Sequence, residues 1–207
     1  MTAPVRRKGQ IPLDLTPAPD FTYESFIEAP SNAGALNVVR AWPAWPAPAM
    51  LLLGPEGTGK THLGEAWLKT AHGVFLDDAH TRDDDALFGF INRALRGEIP
   101  GLLLASRVVP DDWGVALPDL RSRLSAMPKI ELHEPDDDSL HPITRELFRR
   151  RGRDVSRDVV DYLLKYTDRS VPALRDTIRM IDEAASSAKA DVTKAFAGKV
   201  VREDLFE

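Results

Sequence analysis

The sequence predicts an α/β domain with a parallel sheet, followed by a smaller domain made only of helices. Up to about residue 134, short apolar runs with the length of buried strands alternate with segments that have the apolar spacing of helices. From residue 135 onward the spacing is helical throughout, with glycine and polar breaks between segments. We therefore divide the 207 residues into a tail at 1–20, an α/β domain at 21–134 and a helical domain at 135–207.

Composition narrows the class of protein. A formal net charge of −5 argues against sequence-independent DNA binding as the main activity. The chain has no cysteine, which excludes disulfide bonds and thiolate metal sites. No apolar run is long enough to span a membrane, and the N-terminus lacks the apolar core of a secretion signal. These features predict a cytoplasmic protein without a membrane partner.

The tail at 1–20 contains a candidate docking peptide. Its prolines exclude regular structure, yet Gln10-Ile11-Pro12-Leu13-Asp14-Leu15 carries apolar residues that have no core to join. The hexapeptide is similar to the bacterial sliding-clamp-binding motif, Q-x-x-L-x-[LF]. Gln10 would fill a polar pocket of the clamp, and Leu13 and Leu15 would enter an apolar groove. The alternative is an ordinary tail that matches this short pattern by chance.

A complete phosphate-binding pattern, G-x-x-x-x-G-K-[ST], follows the apolar run at 50–53. Its residues are Gly54, Pro55, Glu56, Gly57, Thr58, Gly59, Lys60 and Thr61. Backbone N–H groups of such a loop surround a polyphosphate, the lysine contacts the β- and γ-phosphates, and the Thr61 hydroxyl binds Mg²⁺. Helical spacing begins at His62, which we include in the nucleotide site. A glycine-rich turn matching by accident is the alternative, and the flanking strand and helix argue against it.

Asp77 and Asp78 directly follow the apolar run at 73–76, in a segment that is similar to a Walker B motif. Asp77 would hold the water shell of Mg²⁺, and Asp78 would polarise the attacking water. Related P-loop ATPases have another strand and helix between these two motifs, and the spacing here leaves no room for them. Either that unit is deleted, or this strand is the edge strand and the metal carboxylate lies elsewhere. We favour deletion, because no later apolar strand ends in a carboxylate. His80 has no evident partner and is predicted to be a surface residue.

Two further segments contain candidate site residues. A helix is predicted at 84–96, and the apolar run after it ends at Ser106. A polar residue at the carboxyl end of such a strand lies beside the phosphates, so Ser106 is a candidate nucleotide sensor. The segment at 117–124 is a polar helix that contains Arg121 and Arg123. Read alone, these arginines fit a solvated face or an ion pair.

Taken together, these segments resemble the Hda group of DnaA-related AAA+ regulators. The resemblance rests on the hexapeptide, the P-loop, the Asp77-Asp78 pair and the segment at 117–124, which occur in the family's order, and the segment at 21–32 adds to it. It implies a P-loop AAA+ (ASCE) domain with a shortened parallel sheet and a small helical lid. It also implies bound ADP or ATP with Mg²⁺, with the segment at 21–32 against the adenine. Arg123 falls on the position of an arginine finger, which acts on a nucleotide held by a neighbouring subunit.

The resemblance further implies a negative regulator of replication initiation. Such a protein would bind the DNA polymerase III sliding clamp (β subunit) through the hexapeptide and would reach DNA only through the clamp. It would present Arg123 to ATP held by DnaA, and it could also form a homo-oligomer. One position departs from the family pattern, because Pro172 stands where a sensor 2 arginine is expected. Arg175, one turn further on, could substitute for it. Because of Pro172, however, only weak intrinsic hydrolysis is expected.

Two other functions remain open at this point. One is an autonomous P-loop ATPase or kinase, against which Pro172 counts. The other is a helicase-loader-like adaptor, for which neither the hexapeptide nor Arg123 would matter.

Overall fold

The computed structural model describes residues 21–204, and within them it contains one sheet of four parallel strands. The predicted clamp peptide, with Gln10, Leu13 and Leu15, lies outside the described residues. The strands are β1 (Ala49–Leu53), β2 (Val74–Leu76), β3 (Leu102–Ser106) and β4 (Lys129–Glu131), in the order β2-β3-β1-β4. The predicted α/β class with a parallel sheet is confirmed.

Helices cover both faces of this sheet, which explains why the central strands are apolar at nearly every position. Leu52 of β1 and Leu103 of β3 pack in a cluster with the helices α1 and α2, while Leu51 and Leu104 pack in a second cluster with α3 and α4. The bounds of these helices are Ala33–Arg40 for α1, Lys60–Ala71 for α2, Asp84–Leu95 for α3 and Pro118–Ala126 for α4. The alternation of side chains along each central strand therefore supplies both clusters.

The segment between the P-loop helix and β2 is very short. Only His72 and Gly73 separate α2 from β2, so no strand or helix intervenes. Gly73 is needed for this close approach, because a Cβ there would lie 2.4 Å from the Trp67 ring. As a consequence, β2 pairs with β3 alone and forms an edge of the sheet. The narrow sheet is what deletion of that unit predicts, and the strand before Asp77 is at the same time an edge strand.

Four helices follow the sheet, and they have a hydrophobic cluster of their own around Phe148. They are α5 (Asp137–Arg149), α6 (Arg157–Tyr166), α7 (Val171–Ala188) and α8 (Lys194–Asp204). The side chain of Asp136 caps α5 by accepting a hydrogen bond from the Ser139 N–H at 2.9 Å, which fixes the start of the helix. None of the helices found between residues 21 and 204 is both long and apolar enough to cross a membrane.

Candidate nucleotide-binding site

The P-loop joins β1 to α2 and adopts backbone conformations that require glycine. Gly57 and Gly59 have φ angles of +77° and +100°, in the left-handed region. A Cβ on Gly59 would lie 2.8 Å from the Phe26 ring, and one on Gly57 would lie 2.3 Å from Cδ of Pro172. The loop is therefore bordered on one side by the N-terminal segment and on the other by the first turn of α7.

Lys60 is buried within the loop, and its ammonium group already faces acceptors. Nζ donates hydrogen bonds to the carbonyl oxygens of Gly54 at 2.7 Å and Pro55 at 2.6 Å. Burial lowers the pKa of Lys60, and the nearby carboxylates of Asp77 and Asp78 oppose that shift. The cation is thus partly desolvated beside two carboxylates. A phosphate oxygen could replace the loop carbonyls as its acceptor without moving the backbone.

Thr61 and Asp77 lie together because the P-loop helix packs against β2. The Thr61 hydroxyl donates a hydrogen bond to Oδ2 of Asp77 at 2.6 Å, and Oδ1 accepts one from the N–H of Asp78 at 3.0 Å. A hydroxyl and a carboxylate in contact form the kind of oxygen donor set that Mg²⁺ uses together with phosphates. The side chain of Asp78 is exposed, in a residue with φ of +46° that turns the chain away from the strand.

Ser106 is tied to the P-loop through its backbone rather than through its side chain. Its carbonyl oxygen accepts a hydrogen bond from the N–H of Gly54 at 3.2 Å. Its hydroxyl is fully buried, donates to the carbonyl of Val108 at 2.8 Å and lies 3.2 Å from Nδ1 of His80. The hydroxyl therefore has local partners, and a direct contact with phosphate would require it to exchange one of them.

His80 was predicted to be a surface residue without a partner, and that prediction is wrong. Its ring is half-buried, contacts the Ser106 hydroxyl and lies 6.4 Å from the ring of Trp113. The physical reason is topological, since β2 and β3 are neighbours and their carboxyl ends meet at one edge of the sheet. The signal available in the sequence was that both residues lie at or just after the end of an apolar run.

His62 connects the first turn of α2 to the N-terminal segment. Its Nε2 lies 2.9 Å from the carbonyl oxygen of Thr22 and 3.1 Å from the Ser25 hydroxyl. Its ring is 5.0 Å from that of Phe21 and 5.2 Å from that of Phe26. Burial is the main cause that lowers the pKa of His62; the hydrogen bond with the Thr22 carbonyl opposes this shift, and the positive charges of two arginines and Lys69 add to it. The ring thus fixes the segment beside the loop.

The C-terminal helices bring arginines to the same region. Arg175 is exposed on α7, and its charge helps to lower the pKa of His62. The charge of Arg150 acts in the same direction, and its Nη2 donates a hydrogen bond to the carbonyl oxygen of Ser25. Read alone, the three consecutive arginines at 149–151 fit a solvated helix end, with cations near its negative pole. That interpretation missed Arg150, because the contact with Ser25 spans most of the chain.

Arg107 is a second cation that sequence reasoning missed. It directly follows Ser106, is exposed, and lowers the pKa of Lys60 through its charge. Its position after a strand that ends beside the P-loop was the available signal.

Arg123 lies on α4, away from these contacts. It is half-buried, and its guanidinium carbon is 5.1 Å from the centroid of the Phe88 ring on α3. Among residues 21–204, no hydrogen bond or ion pair links the Arg123 side chain to the P-loop or to a carboxylate. The structure thus gathers Lys60, Thr61 and Asp77 at one place and holds Arg123 at another.

Comparison with known proteins identifies the fold. No protein-family model matches the chain. An uncharacterised protein of Haemophilus influenzae is 24% identical, in an alignment that covers 93% of this chain and 98% of that protein. Domain III of the replication initiation protein DnaA from Thermotoga maritima superposes with a TM-score of 0.75 at 17% identity, covering 90% of this chain and 97% of that one.

Two other solved structures are similar over most of this chain. AMPPCP-bound DnaA from Aquifex aeolicus has a TM-score of 0.68 at 22% identity and matches 81% of this chain and 66% of that one. A RuvB variant from Thermotoga maritima has a TM-score of 0.66 at 15% identity and matches 88% and 72%. This chain has the AAA+ fold found in domain III of DnaA.

Proposed function

We propose that this protein binds ADP or ATP with Mg²⁺ at the P-loop and regulates replication initiation by stimulating ATP hydrolysis on DnaA. In this proposal it belongs to the Hda group, and α5–α8 act as the lid of the nucleotide site. Nucleotide binding is supported by three side chains that are already assembled. Lys60 offers a cation, and Thr61 and Asp77 offer adjacent oxygen ligands for the metal.

The residues around the loop would hold the rest of the nucleotide. The segment at 21–26, fixed by His62, lies where it could pack against the base, and Arg175 approaches the loop from α7. Pro172 lies against Gly57 of the loop, and it stands at the position where the resemblance to the Hda group expects a lid arginine. Since proline offers no charge, we expect slow hydrolysis of the protein's own ATP. In that reaction Asp78 would polarise the attacking water, and Ser106 would act as the nucleotide sensor.

The observation that carries the regulatory role is the state of Arg123. Its guanidinium is reachable from solvent and has no carboxylate partner in the described part of the chain. A carboxylate in contact would occupy its N–H donors and offset its charge. A guanidinium kept free can instead be offered to the triphosphate of another protein, where it stabilises the charge that develops during hydrolysis.

Substitution of this arginine tests the role. Arg123→Ala should reduce stimulation of the DnaA ATPase by about a thousand-fold, which is the size of arginine-finger effects, or to the unstimulated rate. Arg93→Ala removes an exposed arginine from the neighbouring helix and should leave stimulation intact. The measurement is release of phosphate by ATP-bound DnaA in the presence of clamp-loaded DNA. Full stimulation by Arg123→Ala would refute the proposal.

Clamp binding is a separate part of the proposal, and it rests on the hexapeptide alone. A tethered protein gains a high local concentration at replicating DNA without a DNA-binding surface of its own. Replacing Gln10 and Leu13 by alanine should abolish co-purification with the sliding clamp. Ile11→Ala changes a position that the motif leaves free and is the matched control. Unchanged clamp binding by the double variant would show that the hexapeptide is part of an ordinary tail that matches the motif by chance.

An autonomous P-loop ATPase is the competing function, and the assembled set of Lys60, Thr61 and Asp77 favours it. The two proposals differ in the turnover of the isolated protein. A rate above about 1 s⁻¹, within the usual range of enzymes, would support the autonomous enzyme. A much lower rate, together with stimulation of DnaA that depends on Arg123, would support the regulator.

A further inference from the structure

The Arg123 side chain rests on an aromatic ring. Its guanidinium carbon lies 5.1 Å from the centroid of Phe88, within the range of a cation–π interaction. Both side chains are half-buried, and Phe88 also packs against the cluster between the sheet and α3. Because that cluster holds the ring, the ring is a fixed platform for the longer and more flexible arginine.

The same face of α3 also fixes the start of the helix that carries Arg123. Oδ2 of Asp84 accepts hydrogen bonds from the backbone N–H groups of Ala116 at 2.8 Å and Leu117 at 3.3 Å. Asp84 and Phe88 are four residues apart and so lie on one face of α3. The carboxylate holds the start of α4, and the ring holds a side chain just past the middle of α4.

Buried residues complete the attachment of α4. Leu120 and Leu124 are fully buried. They pack in the cluster between the sheet and α3 that includes Leu87 and Ile91. Arg123 adjoins Leu124 on this helix, so its backbone position is set by a packed interface. What the leucines leave undetermined is the direction of the long side chain, and Phe88 is the residue that contacts it.

An aromatic platform differs from an ion pair in one useful way. A carboxylate would orient the guanidinium but would also occupy its N–H donors and cancel its charge. A ring attracts the cation through its face and leaves the in-plane N–H groups available to a phosphate. It also limits the rotamers of a side chain that would otherwise lose much conformational entropy on binding.

We propose that Phe88 is a positioning residue that holds the Arg123 guanidinium ready for the triphosphate of the partner protein. The inference rests on the proposed function of Arg123 and adds the residue that orients it. Phe88 itself touches neither nucleotide nor reacting atoms.

Four variants of the full chain test this role. Phe88→Leu keeps an apolar side chain but removes the ring face, and it should lower maximal stimulation of the DnaA ATPase about three- to ten-fold. Phe88→Met is a second variant without a ring and should behave alike. Phe88→Tyr keeps the ring face and should retain stimulation within about two-fold. Phe90→Leu is the control, since Phe90 contacts Arg93 instead, at 5.8 Å, and it should have no effect.

The readout separates positioning from folding and from binding. Maximal stimulation should fall in Phe88→Leu, while the concentration that gives half-maximal stimulation and the urea midpoint should stay close to those of Phe90→Leu. Normal stimulation by Phe88→Leu, alongside loss in Arg123→Ala, would overturn the role of Phe88 alone. Equal losses in Phe88→Tyr and Phe88→Leu would also overturn it, since they would indicate packing. Normal stimulation by Arg123→Ala would instead refute the proposed function.

Discussion

At the scale of single residues, the candidate site depends on polar groups that are partly removed from water. His62 is the example with a measurable consequence. Its ring is enclosed by Phe21 and Phe26 and bonded to the N-terminal segment, and its burial disfavours the imidazolium form. In the unfolded chain the same ring is free to protonate near its ordinary pKa of 6.5.

The folded protein should therefore lose stability on acidification. As the pH falls through 6.5, the unfolded state binds a proton before the folded state does, so the free energy of unfolding decreases. The decrease stops once the pH lies below the lowered pKa of the folded state. His62→Gln should flatten the dependence between about pH 7 and 5, as measured by urea denaturation. His133→Gln, at an exposed site outside this contact, should keep the slope of the parent protein, and an unchanged slope in His62→Gln would contradict the prediction.

At the scale of elements, the first turn of α7 is packed directly on the P-loop. Pro172 lies so close to Gly57 that no side chain fits between them. The contact joins a helix of the C-terminal cluster to the loop of the sheet domain, although the two residues are far apart in sequence.

Substitution of Gly57 measures this contact. Gly57→Ala would strain a backbone with φ of +77° and would place Cβ 2.3 Å from Cδ of Pro172. Gly152→Ala is the matched control, since its φ is +71° and its Cβ would meet nothing within 4 Å. We expect the control to cost about 1–2 kcal/mol from the backbone alone, and Gly57→Ala to cost about 1–3 kcal/mol more from overpacking.

A double variant completes that experiment. Adding Pro172→Ala to Gly57→Ala should recover most of the additional loss, because the obstructing ring is removed. Urea denaturation of the protein without nucleotide gives the free energies of unfolding. Equal losses of unfolding free energy in the two single glycine variants would show that the contact between Pro172 and Gly57 does not affect stability.

At the scale of the whole molecule, the nucleotide site lies where three separate parts of the chain meet. The N-terminal segment contacts the loop through Phe26, the sheet supplies Asp77, and α7 supplies Pro172. The hydrophobic clusters of the sheet and of α5–α8 are distinct. A ligand held at their junction would therefore stabilise the arrangement of the whole chain.

Nucleotide should accordingly raise the unfolding temperature. At a hundred times the dissociation constant, ADP with Mg²⁺ would add about 2.7 kcal/mol, which corresponds to about 5–10 °C for a chain of this size. Lys60→Ala should abolish the shift. Asp77→Asn should keep the shift that ADP gives in EDTA and lose the further increase that Mg²⁺ provides. A shift that survives in Lys60→Ala would place the ligand elsewhere.

The sequence by itself determined the elements and the central motif. The P-loop and the strand and helix around it follow from local chemistry. Glycine adopts the left-handed angles at Gly57 and Gly59 at the lowest cost, and strands that are buried on both faces must be apolar throughout. The missing unit before β2 was likewise evident from spacing. These features depend on residues that are close together along the chain, so their patterns could be interpreted one segment at a time.

Only the tertiary structure decided which distant side chains meet. His80 contacts Ser106 because two strand ends are neighbours, Pro172 covers Gly57 because α7 begins beside the loop, and Phe88 supports Arg123 because α3 packs against α4. Such pairs leave no periodic mark in the sequence, since either residue would satisfy its own helix or strand equally well with another neighbour. Their contacts are fixed by the packing of helices on a narrow sheet, which is a property of the assembled core.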